Sequence, residues 1–134
     1  MKKRSAAGNL YFSFLNKMHE FSICQTLVDD VLKEFGKVKN QNIHLKKVRM
    51  NAGQYHRFVP ASLKMAYKIL TKNTPAEGSS LLVKTIPIKL KCRQCGWEGS
   101  IRDIGFICRK CGGVETDITA GKELSLESIE VESN

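Results

Sequence analysis

Between Glu20 and Phe35 apolar residues return at every fourth position, at Ile23, Leu27, Val31 and Phe35, with Cys24, Val28 and Leu32 widening the stripe. That spacing is the period of a helix that buries one face. Glu20 stands in the first turn, where a carboxylate suits the positive end of the helix dipole, and Gly36 supplies a stop. Cys24 falls on the buried stripe and reads as a small core hydrophobe. Residues 37–44 are polar and lysine-rich and read as a loop. From Leu45 to Ala52, Val48, Met50 and Ala52 alternate with Lys47, Arg49 and Asn51, which predicts a half-buried strand ended by Gly53. Pro60 then opens a second helix running to about Lys72, with Val59, Leu63, Ala66, Tyr67 and Leu70 marking one face.

Two amphipathic helices need a sheet to cover. Leu82, Ile86, Ile88 and Leu90 fall on one side of an extended segment over 81–91, and Pro87 on the other side suits an edge or a strand end. Near the end of the chain Leu124 and Leu126 alternate, then Ile129 and Val131 do so one step out of phase. The slip predicts a β-bulge near Glu127 and Ser128. The last strand is expected to return to the sheet left by residues 81–91, so that whatever lies between is an insertion between neighbouring strands. The expected fold class is α+β: a small sheet with two amphipathic helices, carrying an inserted four-cysteine lobe.

That lobe has the clearest chemistry in the chain. Cys92-Arg93-Gln94-Cys95-Gly96 and Cys108-Arg109-Lys110-Cys111-Gly112 are two CxxCG turns separated by twelve residues. Two thiolates three positions apart close on one ion, and a second pair completes the tetrahedron that zinc accepts from sulfur. The glycine after each pair fits a tight bend that a Cβ would crowd. Such a zinc ribbon is closed, so its ion shapes a lobe without activating water. Disulfide, redox and buried-thiol roles remain the alternatives, and each fits the spacing less well.

Composition changes this picture little. The chain has 134 residues, room for one modest domain plus the ribbon, and no apolar run long enough to span a bilayer. The net charge of +9 suggests a polyanion partner until its placement is considered. Lys2, Lys3, Arg4 and Lys17 contribute +4 within residues 1–17, leaving 18 basic and 13 acidic residues elsewhere. Solvated faces account for that remainder. Residues 1–17 read as a flexible N-terminal extension or an unused upstream start, because Met18 opens the next segment.

Met18-His19-Glu20 immediately precedes the first helix. Taken with Met18-His19-Glu20-Phe21-Ser22-Ile23, Val48 to Gly53, Val59-Pro60, Glu77-Gly78, the CxxC pairs and Gly121-Lys122-Glu123-Leu124, it forms an ordered set over about residues 18–132. This set resembles the HypA/HybF family of hydrogenase maturation proteins, nickel metallochaperones. The resemblance implies a nickel-binding domain over 18–91 and 120–134 and a zinc-ribbon domain over 92–119, with Cys92, Cys95, Cys108 and Cys111 as zinc ligands. It implies His19 as the nickel ligand, with Glu20 adjacent. An imidazole with backbone nitrogens suits Ni²⁺. A start at Met1 would place the Met18 nitrogen in a peptide bond and alter that donor set. Gln54, Ala61 and Lys68 stand where the family tends to be acidic, which bears on the partner surface more than on the metal chemistry.

The resemblance further implies Zn²⁺ as a structural ion, Ni²⁺ as transferred cargo, and a cytoplasmic protein, monomeric or weakly dimeric. Its implied partners are a nickel-binding GTPase, a hydrogenase large-subunit precursor and, in some members, urease maturation. No catalysis is expected, since the sequence offers no paired carboxylates, Ser/His/Asp arrangement or phosphate-cradling glycine loop. His44 and His56 lack a partner at ligand spacing and are read as surface or core residues. The rival reading is a zinc-ribbon module that binds nucleic acid or docks a protein, motivated by the basic extension and by Lys46, Lys47 and Arg49.

Overall fold

The first amphipathic stripe folds as α1, Glu20–Gly36, in a computed structural model that describes residues 2–5, 20–101 and 105–134. Ile23, Cys24, Leu27 and Val31 are wholly buried, and Val28 and Phe35 nearly so. Each such aliphatic or aromatic side chain contributes about 1.5–3 kcal/mol relative to exposure. The second stripe folds as α2, Pro60–Leu70, burying Leu63, Ala66 and Tyr67 while Met65 and Ile69 face solvent. The Cys24 thiol donates to the Leu63 carbonyl at 3.2 Å, tying the two buried faces together. Burial, with Glu20 as a lesser cause, pushes this thiol up to about 12. It is inert packing, as its place in the stripe predicts.

The helices accompany a four-stranded sheet in the order β1-β7-β2-β3. Its strands are β1 (Lys2–Ser5), β2 (Ile43–Gly53), β3 (Ser80–Ile86) and β7 (Leu124–Ser133). On β7 Leu124, Leu126, Ile129 and Val131 are all buried despite their change of phase. Its pairing with β1 is antiparallel and in continuous register from Ser128↔Ser5 to Val131↔Lys2.

Two expectations need correction. Residues 1–17 are not flexible throughout, because Lys2–Ser5 form β1 and occupy an edge of β7 that would otherwise leave backbone groups unpaired. The last strand does lie in one sheet with β3, but β2 stands between them, so β3 and β7 are not neighbours. The strand end expected at Pro87 does form within 81–91. Pro87 has no N–H to give a ladder, and the chain changes sheet there, from β3 to β4 (Ile88–Cys92).

The chain divides into two compact units, one of Met1–Asn51, Phe58–Lys84 and Leu124–Asn134, the other of Ala52–Arg57 and Thr85–Glu123. The cysteine-bearing unit thus takes in more chain than 92–119. It holds a second antiparallel sheet in the order β5-β4-β6, with β5 at Glu98–Ile101 and β6 at Thr116–Ala120. Ile88, Leu90 and Ile101 form its small core, packed with Trp97, Phe106 and Ile118.

Two glycines allow that unit to close. Gly53 donates its N–H to the Glu123 carbonyl at 2.5 Å, and Tyr55 donates to the Gly121 carbonyl at 2.9 Å. A Cβ at position 53 would lie 2.7 Å from the Glu123 nitrogen and closer still to the Gly121 carbonyl. Gly121 has φ +106°, and a Cβ there would sit 2.6 Å from the Ile88 Cα. Both glycines are required by backbone meeting backbone.

Candidate metal centre

The four cysteines reach one point from two tight turns. After β4, the Gly96 N–H donates to the Cys92 carbonyl at 3.1 Å, and Gly96 takes φ +80° to complete the turn. In the second turn the Gly112 N–H donates to the Cys108 carbonyl at 3.0 Å with φ +74°. The repeated glycine therefore supplies a left-handed backbone that a side chain would strain. The turns are anchored by Cys92 N–H to the Trp97 carbonyl at 2.8 Å and by Cys108 N–H to the Gly113 carbonyl at 2.9 Å.

The four Sγ atoms all lie within 4.8 Å of one another. Cys92 Sγ is 3.7 Å from Cys111 Sγ, and Cys95 Sγ is 3.5 Å from Cys108 Sγ. A tetrahedron with zinc–sulfur bonds of about 2.3 Å has edges of about 3.8 Å. These distances fit that figure and greatly exceed a disulfide bond of about 2.05 Å. Backbone amides also aim at the sulfurs. Cys95 N–H approaches Cys92 Sγ at 3.5 Å, Lys110 and Cys111 approach Cys108 Sγ at 3.3 and 3.4 Å, and Gly113 approaches Cys111 Sγ at 3.3 Å.

The amides bias Cys92 and Cys108 toward thiolate. Burial opposes ionisation of Cys108, yet the amides of Cys111 and Lys110 outweigh it and bring the thiol down to about 6. The Cys95 amide likewise lowers Cys92 against the cost of burial. Cys111 keeps its proton to about 11: the Gly113 amide favours its thiolate, but the neighbouring sulfurs and burial together prevail. Four negative sulfurs at this separation repel, and a divalent cation is the group that relieves them. The donor set suits a soft, tetrahedral ion such as zinc.

One feature of this unit was not anticipated from the sequence. The Arg93 guanidinium grips the Asp117 carboxylate with Nε at 3.1 and 3.0 Å and one Nη at 2.6 Å, fastening the first cysteine turn to β6. Neither residue stands in a sequence pattern that announces the other.

The second predicted site lies at the start of α1. Met18 and His19 fall outside the described residues. Glu20 is described, and its Oε2 accepts the Val59 N–H at 2.6 Å. Val59 caps α2 without any side-chain cap of its own, so one carboxylate joins the starts of both helices. This gives a physical reason for two motif pieces, Glu20 and Val59-Pro60, that stand 39 positions apart. Of the remaining histidines, His44 Nδ1 is 2.7 Å from Asn134 Oδ1, and His56 Nε2 is 2.8 Å from the Lys122 carbonyl oxygen. Neither belongs to a metal cluster among the described residues.

A family model described as HypA, hydrogenase/urease nickel incorporation, metallochaperone, matches residues 18–131. The chain belongs to the HypA family. A HypA hydrogenase maturation factor of Desulfosudis oleivorans is 34% identical over 116 residues, covering 85% of this chain and 98% of the relative. One from Caldanaerobacter subterraneus subsp. tengcongensis is 40% identical over 116 residues, covering 86% and 100%. The solution structure of the Ni metallochaperone HypA from Helicobacter pylori shares the fold, with a TM-score of 0.59, 22% identity and coverage of 87% of this chain and all of that one. A second HypA solution structure superposes with a TM-score of 0.64 at 19% identity, covering 89% of this chain and all of the other. A HypA protein is a maturation factor and metallochaperone, not an enzyme.

Proposed function

We propose that this chain binds Ni²⁺ at a site that includes His19 and delivers it during maturation of a nickel enzyme, foremost a [NiFe]-hydrogenase and also urease. The observation that carries the reading is the family match, which begins at Met18, one residue before His19, and extends past all four cysteines. Zinc on Cys92, Cys95, Cys108 and Cys111 is structural in this account. Its four sulfurs leave no position for exchange, so the cargo needs a different donor set.

Glu20 supports the reading as an orienting residue. Its carboxylate already holds Val59, which fixes the residue next to His19 relative to both helix starts. Imidazole and backbone nitrogen donors suit Ni²⁺ and release it more readily than four thiolates would. Any energy from nucleotide hydrolysis comes from a partner, which we identify as a nickel-binding GTPase. The recipients are a hydrogenase large-subunit precursor and a urease maturation factor, and the work is done in the cytoplasm.

Native mass spectrometry of the zinc-loaded full chain, titrated with Ni²⁺ beside its His19→Ala variant, tests this function. One nickel per chain that disappears in the variant is the expected result. Equal nickel uptake by both proteins would remove His19 from the site.

A further inference from the structure

One cavity of the helical unit is lined by none of the four cysteines. It measures about 620 Å³ and opens between α2 and the start of β3. Lys64 and Lys68 line it from α2, one helical turn apart, and Lys72 lines it from the turn that follows the helix. Lys64 and Lys68 share one helix face, and Lys72 joins them in the lining from just beyond the helix end. All three lysines are exposed, and none forms an ion pair among the described residues. Glu77 is the one acid that joins them in the lining. Three lysines against one glutamate leave the groove basic.

Its opposite wall is an edge. Among the described residues β3 ends the order β1-β7-β2-β3 and pairs on one side only, which leaves the backbone donors and acceptors of its other side open to a further strand. Leu81 is buried and Leu82 is 38% exposed, as successive residues of a strand with one covered face. The wall is firm. Tyr67 Oη lies 2.7 Å from Ser79 Oγ, and Ser79 Oγ donates to the Ala76 carbonyl at 2.5 Å, bracing the turn into β3 against α2.

We propose that this groove docks an extended acidic segment of a partner protein, which adds to β3 as a further strand and sets its carboxylates against Lys64, Lys68 and Lys72. Main-chain pairing to an open edge supplies affinity, and side chains on alternate positions supply selection. A strand with acidic residues on one face and apolar residues on the other meets the lysines with the first and Leu82 with the second. Charge also argues against a second copy as the occupant. β3 carries Lys84 and no acid, so two β3 edges pairing with each other would add like charge to a groove that is already basic.

The test is independent of nickel. Fluorescence anisotropy would follow a labelled peptide of alternating glutamate and valine, seven residues long to match β3, binding to the zinc-loaded full chain. Binding is expected to weaken as salt is raised. It should fall by about tenfold or more in the K64Q/K68Q/K72Q variant, and similarly for a peptide of alternating glutamine and valine. Two further peptides, N-methylated on the odd or the even positions, report on the edge, since one of them must lose its main-chain donors to β3. The lysines are exposed, so circular dichroism should show an unchanged fold. Failure of the acidic peptide to bind, undiminished binding to the triple variant, or equal binding of both N-methylated peptides and the parent would overturn the proposal. Sedimentation showing wild-type dimers that the triple variant cannot form would overturn it too, by assigning the groove to a second copy.

Discussion

Replacing Gly53 by alanine isolates the requirement for backbone contact in the cysteine-bearing unit. The new Cβ would lie 2.7 Å from the Glu123 nitrogen and still closer to the Gly121 carbonyl. Both obstacles are main chain, so no rotamer change removes them. Overpacking of this kind costs about 1–3 kcal/mol. Separating the strands to relieve it also weakens the Gly53–Glu123 and Tyr55–Gly121 hydrogen bonds, at about 1 kcal/mol each. The expected loss is therefore about 3 kcal/mol. Gly36→Ala is the control: a Cβ there meets nothing within 4 Å, and alanine at a helical position is neutral or stabilising by about 0.5 kcal/mol. Urea denaturation of the zinc-loaded proteins measures both changes, and hydrogen exchange at the Tyr55 amide localises the first. A loss below about 1 kcal/mol for Gly53→Ala, with Tyr55 still protected, would refute the reasoning.

Cys95→Ala should abolish zinc retention by elemental analysis, because a structural site of this class contributes on the order of 10 kcal/mol to its small lobe. Hydrogen exchange should then show Thr85–Glu123 unprotected while α1 keeps its protection, and equal loss in both would contradict the division into two units. Glu20→Ala should lower stability by about 1 kcal/mol through the lost bond to Val59, with Glu20→Gln recovering part of it; identical melting of all three proteins would deny the link. Stability should hold up to about pH 9 and fall toward pH 12. Burial keeps the proton on Cys24 to about 12 rather than 9, and keeps that on Tyr67 to about 12 against the pull of Ser79, so the unfolded chain binds fewer protons in that window. Denaturation at pH 8, 10 and 11 reads this slope, which should flatten in Cys24→Ala.

Much of this was legible because it is local. The fourfold recurrence from Ile23 to Phe35 fixed α1 nearly to the residue, since a buried stripe of that length has one periodic solution. Pro60 marked the first residue of α2, whose helix then stopped at Leu70 rather than Lys72. The cysteine spacing brought its four sulfurs together as expected. The misses are long-range or weakly patterned. Lys2–Ser5 has no apolar alternation, and it becomes a strand because β7 offers it an edge. β5 contains Gly99 and only one buried residue, Ile101, which leaves no periodic signal to read. The role of Glu20 depends on Val59, and the placement of Arg93 on Asp117. Such pairs are set by the fold, not by spacing.

X-ray absorption at the zinc and nickel edges of one doubly loaded full-length sample tests the central claim most directly. The account predicts zinc surrounded by four sulfurs at about 2.3 Å and nickel surrounded by nitrogen and oxygen alone. Sulfur in the nickel shell, with zinc correspondingly displaced, would contradict it by showing that cargo and structural ion share Cys92, Cys95, Cys108 and Cys111.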